Sequence, residues 1–196
     1  MIVVALDTSV LSWFARASRL DVLELLLAGM RAVTTCEVLD EIRAGVQAFP
    51  ALAPVLELAW IEEVRLSGLA AMGVFAEYCW RLGSGTGGNI GEATVLAWAE
   101  INAAVAVIDE KAGRQAARER QVRVRGSLWL LGHGVVTGIV SMAQAARIVD
   151  DLRGAGAYLP CDGSTFAGWA HDNGLLVPLL DASESAVRPP ARGPPS

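Results

Sequence analysis

The sequence predicts an α/β protein: a central parallel sheet of four to five strands, helices on both faces, and extra helices after the last strand. Two observations lead there. Short apolar runs stand apart from one another, and the segments between them repeat with a helical period, as βαβ units require. Ile2 to Leu6 is the first run, continuous and rich in β-branched residues. Ala32 to Thr35 is shorter, with a β-branched core. Ala104 to Ile108 is again continuous. Continuous runs suit central strands covered on both faces. Val122 to Arg125 alternates valine with arginine, which suits an edge strand with one wetter face. Trp60 to Val64 is a weaker fifth candidate.

Between the runs the pattern turns helical. Asp7 is placed to cap a helix starting at Thr8. Leu20, Leu23, Leu26 and Leu27 mark the next helix, and Val38, Leu39, Ile42 and Val46 another. Leu69 to Leu82, Ala93 to Ile101 and Lys111 to Arg120 follow. Ser127 to Ala146 carries no formal charge, yet Gly132, Gly134 and Gly138 and several polar residues interrupt it. It reads as two short buried helices joined near Gly138, since a membrane span wants a more uniform apolar run. Ser141 with Gln144 has the pattern of a capping box, Gly154 reads as a stop, and Phe166 to Asn173 as a last short helix ending at Gly174. The tail from Ala182 holds four of the eight prolines in its last eight residues and is expected to lack regular structure. The expected organisation is a core over 1–126, a helical extension packed on it over 127–181, and a disordered Pro-rich tail over 182–196.

Composition removes several classes of function. Of 196 residues, 53% are hydrophobic and 19% charged, which excludes disorder over most of the length. The net charge of -5 excludes a polycationic nucleic-acid coat, so any nucleic-acid contact must come from a local basic patch or a bound metal. Three widely spaced cysteines make neither a disulfide framework nor a CxxC zinc site. MIVVALD has no positive start, so the expected location is cytoplasmic, away from any membrane. One lysine against fifteen arginines suggests a GC-rich bacterial gene.

The informative residues are carboxylates. Asp7 ends the first strand, Glu37 follows the second by two residues, and Asp109 and Glu110 end the Ala104–Ile108 strand. In an open parallel sheet, ligands bind beyond the carboxyl ends of the strands. Glu92 opens the helix leading into that strand, and joins the others if its helix begins beside the same end. Each acid also has a local use: Asp7 and Asp109 as helix caps, Thr34 with Glu37 and Asn89 with Glu92 as capping boxes. Gathered in one cleft, however, like charges raise one another's pKa, and a divalent cation removes that cost. An all-oxygen donor set suits Mg²⁺. No HxxxH, HExxH or GxSxG motif occurs. Gly83 to Gly88 matches GxGxxG but follows a helix, so it reads as a mobile loop ahead of Glu92. Lys111, Arg114 and Arg118 share one helix face, either solvated or set against a phosphate backbone.

These residues, in this order, resemble the PIN-domain nucleases, including the VapC-like toxins of bacterial toxin–antitoxin pairs. The likeness runs through Asp7-Thr8-Ser9, Glu37, GEATVLAWA (91–99), VIDEKAGRQAA (107–117) and RGSLWLL (125–131), over roughly residues 1–160. It matches a subgroup with Gly-Glu at the third acidic position. The resemblance implies a three-layer α/β/α fold and Mg²⁺- or Mn²⁺-dependent hydrolysis of RNA to 5′-phosphate and 3′-hydroxyl products. It implies Asp7, Glu92 and Asp109 as the catalytic, metal-holding acids, with Glu37 and Glu110 as further candidates for the metal. Thr8 and Ser9 would steady the metal shell or a phosphate oxygen. Lys111, Arg114 and Arg118 are the expected substrate-binding cations. A small antitoxin is the expected protein partner, and a homodimer is an option. Glu92 is one methylene longer than the more usual Asp.

Two other functions compete. A non-catalytic nucleic-acid or protein-binding module could keep the same fold and acidic cleft. A haloacid-dehalogenase-type phosphotransferase would use Asp7 as nucleophile, but that class wants a second Asp where Ser9 stands, and a Lys before the later acid pair.

Overall fold

The computed structural model describes residues 1–83 and 89–177. Ser84 to Gly88 of the glycine-rich loop, the end of the expected extension and the Pro-rich tail lie outside those residues. Five strands form one sheet: β1 (Val3–Leu6), β2 (Arg31–Thr35), β3 (Glu62–Val64), β4 (Val105–Val107) and β5 (Val124–Arg125). Every pair is parallel, and the order is β3-β2-β1-β4-β5. The helices are α1 (Thr8–Arg16), α2 (Leu20–Leu26), α3 (Cys36–Gly45), α4 (Leu69–Leu82), α5 (Ile90–Ile101), α6 (Lys111–Glu119), α7 (Ser127–Val136), α8 (Met142–Gly154) and α9 (Phe166–Asp172). They flank the sheet in a three-layer α/β/α arrangement.

The chain steps outward from β1 to β2 and β3, then returns to the other side of β1 for β4 and β5. Such a reversal leaves a crevice beyond the carboxyl ends of the two strands at the switch, here β1 and β4. Their apolar runs are continuous because both faces are covered: Val4, Ala5, Leu6, Ala106 and Val107 are fully buried. The edges are short and charged. Arg31 holds Glu62 of β3 through two bonds of 2.8 and 2.7 Å, and Val124 and Arg125 of β5 are only half-buried. Helix α5 is buried on every side from Gly91 to Ala99, packed on β1, β2 and β4 and covered by α3, α4 and α6.

The weaker candidate at Trp60–Val64 does form a strand, shortened to β3. A 3-10 stretch over Pro50–Glu57 was not foreseen; Pro54 inside it removes a donor that an α-helix would need. Asp7 caps α1, and the Ser141–Gln144 capping box forms at α8. Three expected caps do not form. Thr35, not Thr34, precedes α3, and the Thr34 hydroxyl instead donates to the Leu6 carbonyl at 2.9 Å. Asn89 enters α5 with φ 60° rather than the extended backbone of an N-cap; it makes no side-chain cap bond, its amide donates to the Leu82 carbonyl at 3.2 Å, and Glu92 is turned inward. Glu110, not Asp109, is the residue before α6.

After β5, α7 and α8 are joined through Gly138, whose φ of 74° reverses the chain. Helix α7 packs on α2, α8 on α7 and α1, and α9 on α8. Leu130, Leu131, Val149, Leu152 and Phe166 belong to the same buried cluster as β1. No helix among the described residues is long and apolar enough to cross a membrane.

Candidate active site

Asp7 stands at the switch point because β1 ends there. Its N–H donates to the Val107 carbonyl at 3.2 Å, which ties it to the end of β4. Its Oδ2 accepts the Ser9 N–H at 3.2 Å and the Ser9 hydroxyl at 2.6 Å. Asp7 is 3% exposed, and burial pushes its carboxyl up to about 6 in spite of those bonds.

Glu92 arrives from the first turn of α5. That turn is pinned by Thr94, whose hydroxyl bonds the Gly91 carbonyl and the Thr35 hydroxyl of β2, each at 2.8 Å. Glu92 is 4% exposed, and neither of its carboxylate oxygens has a properly formed hydrogen bond among the described residues. Burial pushes its carboxyl up to about 8, and the charges of Asp7 and Glu110 push the same way; the nearby Gly113 N–H opposes them weakly.

A third acid, Glu41 from the second turn of α3, faces the same crevice. The Thr8 hydroxyl donates to its Oε2, and the Gly91 N–H donates to its Oε1 at 2.7 Å. Two glycines make room for these carboxylates. A Cβ at Gly91 would lie 2.6 Å from Glu41 Oε2, and one at Gly113 would lie 2.1 Å from Glu92 Oε1. Any side chain at either position would displace an acid, which gives the Gly91-Glu92 pair a geometric reason.

The crevice is a cavity of about 450 Å³. Asp7, Glu41, Glu92 and Glu110 line its acidic side, with Thr8 and Ser9. The lining also includes Trp13, Phe49 and Arg16, whose guanidinium lies 4.3 Å from the Phe49 ring centre and 5.0 Å from that of Trp13.

Other residues singled out in the sequence lie elsewhere. Asp109 does not line this cavity. Its Oδ1 accepts the Ser127 N–H at 2.8 Å and its Oδ2 the Ser127 hydroxyl at 2.6 Å, at the start of α7. Burial raises its carboxyl against those bonds. It borders a second cavity, with Arg114 and Arg118. Glu37 faces the β3 side, beside Cys36 and Arg65, and its Oε2 is buried without a partner among the described residues. Lys111 is exposed at the start of α6 and borders neither cavity. Glu41 and Arg16 were not singled out. Glu41 lies four residues beyond Glu37 in α3 but faces the crevice rather than the β3 side, so the helix period counted from Glu37 does not by itself place it there. Nothing in the sequence marks Arg16.

Among the described residues, no three His, Cys, Asp or Glu side chains stand close enough together to enclose a metal ion. The chemistry of the donors nevertheless fits one. Among the described residues, the two buried carboxylate oxygens of Glu92 lack partners, Asp7 and Glu110 repel them, and the side chains around them offer oxygen. Hard divalent cations take such ligands.

A search of curated proteins and of solved structures returned no match. The model of one family, DUF3368, described as a PIN domain, matches residues 2–163, which takes in all five strands and the acidic cavity. PIN domains are generally metal-dependent nucleases. With most of its length matched and the parallel α/β/α fold in place, the chain belongs to the PIN-domain family.

Proposed function

We propose that this protein is a ribonuclease that uses Mg²⁺ or Mn²⁺ to hydrolyse RNA phosphodiesters in the acidic cavity. The observation that carries this reading is Glu92, buried at the switch point beside Asp7 with neither oxygen properly bonded among the described residues. A carboxylate left in that state raises the free energy of the fold unless positive charge comes to meet it. Asp7 and Glu92 would hold the ion, with Glu41 and Glu110 beside them. When bound, a divalent ion supplies charge against the scissile phosphate and makes water more acidic near neutral pH.

The remaining work falls to the chain's own residues. Ser9 orients Asp7 through Oδ2. Thr8 and the Gly91 N–H hold Glu41 in place. Arg16, stacked on Phe49, lines the same cavity and would meet a phosphate oxygen of the substrate. Asp109 acts at one remove, fastening the end of β4 to α7 through Ser127. The resemblance over residues 1–160 extends the reading to a cytoplasmic toxin restrained by a small antitoxin.

The test is cleavage of total RNA with Mg²⁺, with Mn²⁺ and with EDTA, repeated with Glu92→Gln. Cleavage is expected with either metal, is expected to stop in EDTA, and is expected to be lost in the variant. Turnover that persists in EDTA overturns the proposal. A binding module on the same fold would show no metal-dependent turnover at all.

A further inference from the structure

The second cavity, of about 290 Å³, lies between α6, β5, α7 and the turn between α8 and α9. Its lining is opposite in character to the first. Arg114, Arg118 and Arg125 contribute three guanidiniums, and Asp109 the single carboxylate, already engaged with Ser127. Arg118 is exposed, and its side chain makes no hydrogen bond or ion pair among the described residues. Arg125 is half-buried and faces the charge of Arg123, and its side chain hydrogen-bonds only the Val124 carbonyl among the described residues. Arg114 bonds the Asp109 carbonyl. Cations gathered in this way, in a chain of net charge -5, are short of an anion.

Aromatic rings stand beside them. Trp129 stacks on His133, with centroids 5.8 Å apart and 13° between planes, and the Arg125 guanidinium lies 5.9 Å from the Trp129 ring centre. Tyr158 is 97% exposed, an unusual state for a tyrosine in a firm turn. The turn is held by Arg153, which donates to the Leu159 and Cys161 carbonyls at 3.1 Å, and by the buried side chains of Ala157 and Leu159. The ring is therefore presented to solvent by a fixed backbone, at the rim of a basic cavity. Asp109 borders this cavity and Glu110, the next residue, borders the acidic one, so the two share a ridge.

We propose that this cleft binds one nucleotide of single-stranded RNA outside the scissile site, with its phosphate on Arg118 and Arg125 and its base stacked on Tyr158. The assignment rests on the ribonuclease reading for the identity of the strand. An acidic peptide would satisfy the arginines equally well but would leave the exposed ring without a role, whereas every base offers a π-face. A strand entering the acidic cavity would cross the Asp109–Glu110 ridge to reach it.

The experiment is fluorescence anisotropy of a labelled single-stranded RNA oligonucleotide with the full chain in EDTA, where cleavage does not contribute, over a range of salt. Both test positions are exposed, so Tyr158→Ala and Arg118→Ala leave the core untouched. Tyr158→Ala is expected to weaken binding about tenfold, with little change in salt dependence. Arg118→Ala is expected to lower the slope of log affinity against log salt by about 0.7. Unchanged affinity in both variants overturns the proposal. So does a polyglutamate peptide that displaces the RNA at equal charge with no sensitivity to Tyr158→Ala, an outcome that would assign the cleft to an acidic protein segment. If both variants weaken binding but added Mn²⁺ brings no cleavage, the cleft stands and the ribonuclease reading falls.

Discussion

Helix α5 carries a glutamate near each end, and the fold treats the two in opposite ways. Glu100, in the last turn, receives two bonds from Arg120 at 2.7 and 2.6 Å and one from the Tyr78 hydroxyl at 2.7 Å. Glu92, in the first turn, receives none of proper geometry among the described residues. The helix dipole alone would favour Glu92, at the positive end, over Glu100 at the negative end. Their acidities run the other way. The Arg120 bonds hold Glu100 below the usual carboxylate range, while burial lifts Glu92 to about 8. Partners and desolvation therefore outweigh the dipole on this helix. One end is a finished structural pair; the other is left short of positive charge at the switch point.

Breaking the two ends should give opposite results. Glu92→Gln has the largest expected effect. RNA cleavage should fall by about 10³-fold, the loss expected when roughly 4 kcal/mol of charge stabilisation is removed. The same variant in EDTA at alkaline pH should melt higher than the wild type, because an uncharged isostere relieves a buried charge. A lower melting temperature would show that Glu92 is stabilised by its surroundings after all. Glu100→Ala should do the reverse. It strands the Arg120 guanidinium and the Tyr78 hydroxyl, at a cost of about 2 kcal/mol for a pair that is partly screened. Thermal melting should drop by roughly 4–8 °C. Cleavage per folded molecule should not change, and a loss there would tie Glu100 to the site.

Acidity sharpens the contrast. The Glu92 carboxyl, usually near 4.5, is lifted to about 8, and that of Asp7, usually near 3.8, to about 6. The folded chain thus keeps protons that the unfolded chain has released. The stability linked to both groups is complete below about pH 4 and is lost as pH rises through 6 and then 8. In EDTA the melting temperature should fall between about pH 5 and pH 8. Glu92→Gln should flatten the upper part of that slope, and Glu100→Ala should not. Added Mn²⁺ should raise the melting temperature more at the alkaline end, since the ion competes with those protons. A flat profile for the wild type would mean that Glu92 ionises at its ordinary pH.

The same contrast explains what could be read in the sequence. Strands β1 and β4 were legible because burial on both faces leaves an uninterrupted apolar run; β5 was legible from its valine–arginine alternation, although the strand itself is only Val124–Arg125, both half-buried. The 3-10 stretch over Pro50–Glu57 was not, since its apolar residues follow no helical or strand period. Asp7 and Glu92 stood out as acids at element ends. Glu41 did not, because it sits mid-helix, and only the helix pitch together with the space beside Gly91 brings it to the crevice. Asp109 and Glu110 are neighbours in sequence that face different cavities, and no count of residues decides which of two successive side chains turns which way. Partners decide it: Ser127, eighteen residues further on, claims Asp109.

Asp109→Asn is the smallest predicted effect and the one that extends the comparison. In its bonding Asp109 belongs with Glu100, since both of its oxygens are taken. An asparagine could keep the arrangement, its oxygen accepting the Ser127 N–H and its amide donating to the Ser127 hydroxyl. Stability should therefore fall by no more than about 1 kcal/mol, since both bonds can be kept although the charge beside Arg114 is lost. Cleavage should fall far less than in Glu92→Gln, and less than in Glu110→Gln, whose side chain does border the acidic cavity. Parallel assays of the three variants on one RNA rank them directly. If Asp109→Asn proves as damaging as Glu92→Gln while the fold is intact, then Asp109 leaves Ser127 when metal and RNA are bound. A satisfied carboxylate would then be as open to recruitment as an unsatisfied one, and the contrast between the two ends of α5 would lose its power to tell structural acids from functional ones.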